Sequence, residues 1–116
     1  ALKLYLEIFG RNHADVAESY NNLGCAYDDK GQYDEAVECY EMSLKIRKEI
    51  FGIMNKSVGD SYWNLGLVFE KKNETKTSCK YFEEVWKIYN VVLGQWDEQT
   101  LRAKQRVKEL TELHEE

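Results

Sequence analysis

Apolar residues return along this chain at helical spacing, in stripes interrupted by glycine or asparagine. Val16, Tyr20, Leu23, Gly24 and Tyr27 share one side of a predicted helix, and Val58, Tyr62, Leu65, Gly66 and Phe69 share one side of another. A further stripe follows each: Tyr33, Ala36, Val37, Tyr40 and Leu44, then Cys79, Phe82, Val85, Trp86 and Tyr89. Gly31 is predicted to end the first helix, because glycine takes the left-handed conformation without strain. Asn73, the other residue that tolerates it, stands at the matching place. Gly52 and Gly94 are predicted to end the second helices. At the helix starts, Asp15 with Glu18 and Ser57 with Asp60 offer short side-chain acceptors for the free amides and acidic charge for the positive helix end. Gly24, Ala36, Gly66 and Ser78 are small enough to let helix backbones approach, with neighbouring rings filling the gaps. Short connections force antiparallel neighbours. The chain contains no proline, which favours continuous helix. The expected fold is all-α, built from antiparallel helix hairpins.

The stripes repeat. Displaced by about 42 positions, Ser19-Tyr20-Asn21-Asn22-Leu23-Gly24 falls on Ser61-Tyr62-Trp63-Asn64-Leu65-Gly66, and Phe51-Gly52 falls on Leu93-Gly94. The same register reaches back to Phe9-Gly10 and forward to Thr100 beneath Val16 and Val58. The expected organisation is a single array: residues 1–10 end a preceding repeat, 15–52 and 57–94 are repeats, and 99–116 is a capping helix or the start of a third. The first residue, Ala1, already lies inside a helical pattern, so the chain reads as a piece of a longer protein. In the last stretch Leu101, Ala103, Val107, Leu110 and Leu113 make one sparse apolar face.

Charge narrows the partner. The net charge of −5 lacks the basic face that phosphate neutralisation needs, so nucleic acid is disfavoured and a basic peptide is the more natural ligand. No run is long and apolar enough to span a membrane. Cys25, Cys39 and Cys79 form neither a Cys-x-x-Cys pair nor a disulfide framework and read as reduced packing thiols of a cytoplasmic protein.

Tyr20-x-x-Leu23-Gly24-x-x-Tyr27 … Ala36-x-x-x-Tyr40 and Tyr62-x-x-Leu65-Gly66-x-x-Phe69 … Ser78-x-x-x-Phe82 resemble the signature of the tetratricopeptide repeat. The long period, and the stretch Gly10-Arg11-Asn12-His13-Ala14-Asp15-Val16-Ala17, resemble the kinesin light chain and nephrocystin branch. That branch often has proline where Ala14 stands. The resemblance implies a right-handed α-solenoid acting as a protein-interaction scaffold or adaptor, with a peptide or partner helix in the concave groove.

Helix geometry then selects residues. Glu18, Asn22, Cys25 and Asp29 lie opposite the apolar stripe of the first helix; Asp60, Asn64, Leu67 and Lys71 do so in the next repeat, with Trp63 at the edge where Asn21 stands one repeat earlier. Arg102, Arg106 and Glu109 continue this side in the last helix. Asn22 and Asn64 match the asparagine that, in many tetratricopeptide domains, bonds a peptide backbone. An amide both donates and accepts, which suits that role. The competing reading is that these asparagines merely bond across helices or face water. Trp63 is an interface anchor or packs between repeats. Arg102 and Arg106 grip a carboxylate or merely solvate a terminal helix. Cys25 and Leu67 form the groove floor. The groove would run from acidic at its start (Asp28, Asp29) to basic at its end.

No catalytic constellation stands out: His13 and His114 lack a nucleophile and acid in a plausible pocket, and neither His-Glu-x-x-His nor a glycine-rich phosphate loop occurs. No enzyme activity, cofactor or metal is expected. Asn55-Lys56-Ser57 and Asn73-Glu74-Thr75 match the glycosylation triplet but read as helix-end chemistry. The rival to an adaptor is a spacer, or a segment that self-associates through the apolar terminal edge of Leu2, Leu4, Ile8 and Phe9 as a homodimer, with recognition elsewhere.

Overall fold

The computed structural model describes residues 13–115. They form five helices: α1 (His13–Asp29), α2 (Tyr33–Phe51), α3 (Lys56–Lys71), α4 (Thr75–Val92) and α5 (Glu98–Glu115). The expected end of a preceding repeat over residues 1–10, and with it the apolar edge of Leu2, Leu4, Ile8 and Phe9, lies outside the described residues. Each helix packs on the next, α1 on α2, α2 on α3, α3 on α4 and α4 on α5. The result is an all-α solenoid of helix hairpins, with no strand among the described residues.

Close helix approach rests on small residues under rings, as the spacing predicts. A Cβ placed on Gly24 would lie 2.8 Å from the Tyr40 ring, and one on Gly66 would lie 2.8 Å from the Phe82 ring. The device thus recurs in register. Ala36 and Ser78, opposite these glycines, are buried, and the Ser78 hydroxyl donates to the Gly66 carbonyl at 2.7 Å. Gly59 supplies a third close approach, under the Tyr89 ring at 2.6 Å. Phe82, Leu65, Val58, Val68, Val85 and Ile88 are the fully buried centre, and Trp63 meets Phe82 edge-on at 4.8 Å.

The hairpin turns also repeat. The Gln32 amide reaches the Tyr27 carbonyl and the Glu74 amide reaches the Phe69 carbonyl, both at 2.9 Å, closing α1 and α3 in the same way. Gly31 takes φ +79° and Asn73 φ +64°, the left-handed region expected of both. Alanine at position 73 would keep the turn only at a steric cost of about 1–2 kcal/mol. Asn73→Ala is therefore expected to lower the melting temperature, and Asn73→Gly to leave it equal or higher; thermal denaturation followed by circular dichroism checks both.

Two local expectations are corrected. The cap of α3 is Asn55, whose side chain accepts from the Ser57 amide at 2.8 Å, so Ser57 lies inside the first turn. Both glycosylation-like triplets are accordingly helix-end structures, one a cap and the other a left-handed turn. Leu23 is 46% exposed, whereas its repeat partner Leu65 is fully buried. Leu65 sits on a helix flanked on both sides, while α1 has a described neighbour on one side only.

Candidate functional site

The odd-numbered helices α1, α3 and α5 present equivalent faces. On each, the residue 42 positions along from its counterpart points the same way, and two such positions carry polar ties between these helices. Asn64 Nδ2 on α3 donates to Asn21 Oδ1 on α1 at 2.8 Å. Arg106 on α5, one repeat beyond Asn64, reaches back in the same sense to Glu70 on α3 and also bonds Glu109 at 3.0 Å. Lys71 adds a third tie, to Asp28 at 2.8 Å, and that hydrogen bond raises the ammonium pKa. Asn64 and Arg106 therefore each tie to the preceding odd-numbered helix, and Asn22 stands in the same register one repeat earlier. Asn22 is exposed.

Between these ties lies the middle of the inner face. By helix angle it carries Glu18 and Cys25 on α1, Asp60 and Leu67 on α3, and Arg102 and Glu109 on α5. Glu18 and Cys25 are exposed, and Leu67 and Asp60 are half-buried. The structure gathers Asp60, Trp63, Asn64 and Arg102 around one cleft of about 280 Å³, completed by Tyr89 and Gln99. The Trp63 ring lies against Phe82 of its own hairpin and borders this cleft beside Gln99 and Arg102 of α5.

The cleft has an internally satisfied wall and an open one. The Tyr89 hydroxyl donates to the Asp60 carboxylate, and Lys56 bonds the same group at 3.2 Å. Burial, then this bond to Asp60, pushes the Tyr89 phenol well above its ordinary value, so it remains a donor. Among the described residues Arg102 is held only by Glu98, at 3.0 Å, with both side chains largely exposed. Such an exposed pair contributes little and yields readily to a ligand carboxylate. The expected acidic-to-basic gradient is blunted: Asp28 is neutralised by Lys71 and Arg106 by Glu70, leaving Glu18, Asp29 and Arg102 as its ends.

Sequence reasoning missed Tyr89, which was assigned to an apolar stripe, and Gln99, which lies just inside α5. A signal for Tyr89 existed: Gly59 replaces Ala17 one repeat earlier, and the missing methyl makes room for a large ring. Glu70 was likewise missed, because nothing local marks a carboxylate that will meet an arginine 36 residues on.

Cys25 and the other two thiols separate cleanly. All three are free, Cys25 is exposed, and Cys39 and Cys79 are buried, with burial pushing both buried thiols above their ordinary values. A maleimide at neutral pH is expected to label Cys25 first, with Cys39 and Cys79 reacting only in denaturant. Mass spectrometry of digested protein checks this; early labelling at position 79 would contradict the packing of α4 on α5.

The tetratricopeptide-repeat family matches residues 1–49 and, through a second description of the same repeat, residues 60–89. The chain is also similar to the crystal structure of BtubC (BKLC) from P. vanneervenii, with a TM-score of 0.75 and 23% identity over 84% of this chain. It spans 39% of the length of that protein, and at this identity the likeness concerns the fold. No curated protein matches the chain.

Proposed function

Because this chain belongs to the tetratricopeptide-repeat family, whose repeats generally mediate protein–protein interactions, we propose that its inner face holds a peptide or partner helix as an adaptor module. The observation that carries this reading is the cleft of Asp60, Trp63, Asn64, Tyr89, Gln99 and Arg102. It offers an aromatic wall, amides able to donate and accept, and a displaceable guanidinium, which together suit an extended chain with a polar side chain. Leu67 and Cys25 extend the floor toward α1, and Asn22, Asn21 and Glu18 line its far end. Arg106 contributes by fixing α5 against α3 rather than by touching the ligand.

The partner is a protein rather than a nucleic acid, given the net charge of −5 and the carboxylates on this face. No described helix is long and apolar enough to cross a membrane, and the three free thiols suit the reducing cytoplasm, where we place the protein. Members of the family are typically non-enzymatic scaffolds, and we assign no catalytic role. A spacer role is the second reading, favoured by the Asn21–Asn64 and Glu70–Arg106 ties, which spend inner-face polar groups on joining helices.

A pull-down from lysate separates the two. Wild type is compared with a Trp63→Ala, Arg102→Glu variant whose helicity is first verified. A retained protein is expected to lose about tenfold or more in recovery with the variant, as for truncation of an aromatic anchor. Identical lists from both proteins would move recognition away from this face and favour the spacer.

A further inference from the structure

Away from the inner face, the outer side of the array carries a groove of about 620 Å³ between α2 and α4. Met42, Leu44 and Tyr81 form its apolar floor, and Glu38, Glu41, Lys45 and Lys48 form its charged wall. At helical pitch these four charges fall within about 80° of arc, making one outward stripe. All four are exposed. Glu41 and Lys45 stand at the spacing and in the order that normally pairs along a helix. Even so, among the described residues none of the four has an ion-pair partner, although Lys48 lies over the Tyr62 ring at 6.0 Å.

The order of these charges has a two-fold character. Glu38 and Lys48 lie five residues to either side of Ser43, and Glu41 and Lys45 lie two residues to either side of it. A second α2 laid antiparallel with its Ser43 opposite the first would bring Glu38 against Lys48 and Glu41 against Lys45, four times over. That is the self-complementary pattern an isologous interface requires. Met42 and the largely buried Leu44 flank this stripe on its two sides. A parallel in-register pairing places like charges together, and only the antiparallel register centred on Ser43 pairs all four charges of the stripe.

We propose that the outer groove between α2 and α4 seats α2 of a second copy of this chain, antiparallel about a two-fold axis near Ser43, giving a weak homodimer that leaves the inner face open. The groove is partly filled by each copy's helix, and the opposite charges meet beside an apolar strip that excludes water from them. The contact is small, so it forms at high local concentration and weakens as salt screens the charges.

Sedimentation velocity over a concentration series up to about 1 mM tests the assembly. Two charge-reversed proteins accompany wild type: Glu38→Lys with Glu41→Lys, and Lys45→Glu with Lys48→Glu. All the altered positions are exposed, and circular dichroism confirms that both proteins are folded. Wild type is expected to dimerise, each reversed protein alone to lose at least about tenfold in self-affinity, and their equimolar mixture to recover it as a heterodimer. A wild type that stays monomeric over the series overturns the proposal, whatever other protein the groove binds. So does a dimer that either reversed protein forms as tightly as wild type, or a mixture that fails to recover association.

Discussion

Phe82→Ala should remove about 3–5 kcal/mol of stability, the range for deleting a buried phenylalanine. Phe82 is fully buried and lies at the centre of the second hairpin, in the core it shares with α5. Its ring covers Gly66 on α3, meets the Trp63 ring at 4.8 Å, and belongs to the core that α5 enters through Ala103 and Leu110. An alanine there leaves a ring-sized void bordered by a helix backbone that cannot collapse, because the Ser78–Gly66 hydrogen bond holds α3 and α4 at fixed separation. Whole domains have about 5–15 kcal/mol in total, and a short repeat array relies on each neighbour for burial. The variant is therefore expected to be largely unfolded at physiological temperature. Urea denaturation followed by circular dichroism checks it, with Phe82→Leu as a milder companion. A loss below 1 kcal/mol would show that the ring is not the keystone of this hairpin.

Gly66→Ala should also destabilise, although helix propensity alone predicts the reverse. Alanine gains about 1 kcal/mol over glycine inside a helix. The added methyl, however, would lie 2.8 Å from two Phe82 ring carbons. That ring cannot move away, since Trp63 packs against it and it is completely enclosed. Overpacking of this kind typically costs about 1–3 kcal/mol, so the net change is a loss. The mechanism makes a sharper claim about coupling. In a double-mutant cycle with Phe82→Leu, the two changes should cost less together than the sum of each alone, by about 0.5–3 kcal/mol. Additive costs would mean that Gly66 serves the backbone rather than the ring.

These two residues also show how far the sequence could be read. The close approaches at Gly24 and Gly66 were legible because each small residue recurs one repeat away with an aromatic at a fixed distance behind it. The Gly31 and Asn73 turns were legible for the same reason: position and chemistry agree in both copies. Repetition thus substitutes for comparison with relatives. It fails where the copies differ. Leu23 and Leu65 occupy the same register, yet one is 46% exposed and the other buried, because burial depends on what flanks the helix and not on its own pattern.

The inner face was legible as a face but not in its pairings. Helix angle placed Asp60, Trp63, Asn64 and Arg102 on one side, and the structure sets them around one cleft. Asn22 and Asn64 appeared equivalent from spacing, whereas Asn64 is bonded to Asn21 and Asn22 is exposed. Arg106 looked free to grip a ligand until Glu70 supplied its partner across helices. Side-chain pairing between helices depends on distances that a helical wheel does not contain. Tyr89 fell on the apolar stripe for a related reason: its ring is buried as predicted, while its hydroxyl extends past the stripe to Asp60.

Cys25 offers the most direct test of the inner face as the working surface. It is exposed at the middle of that face, and the other two thiols are buried, so a maleimide photo-crosslinker attaches there without engineering. A control carries the same reagent on the outer side, in a Cys25→Ser, Lys80→Cys variant. After incubation in lysate and illumination, the Cys25 probe is expected to capture a protein other than the chain itself, with capture reduced by Trp63→Ala and Arg102→Glu. Capture from position 80 alone, or capture from position 25 that ignores those substitutions, would contradict an inner-face binding site.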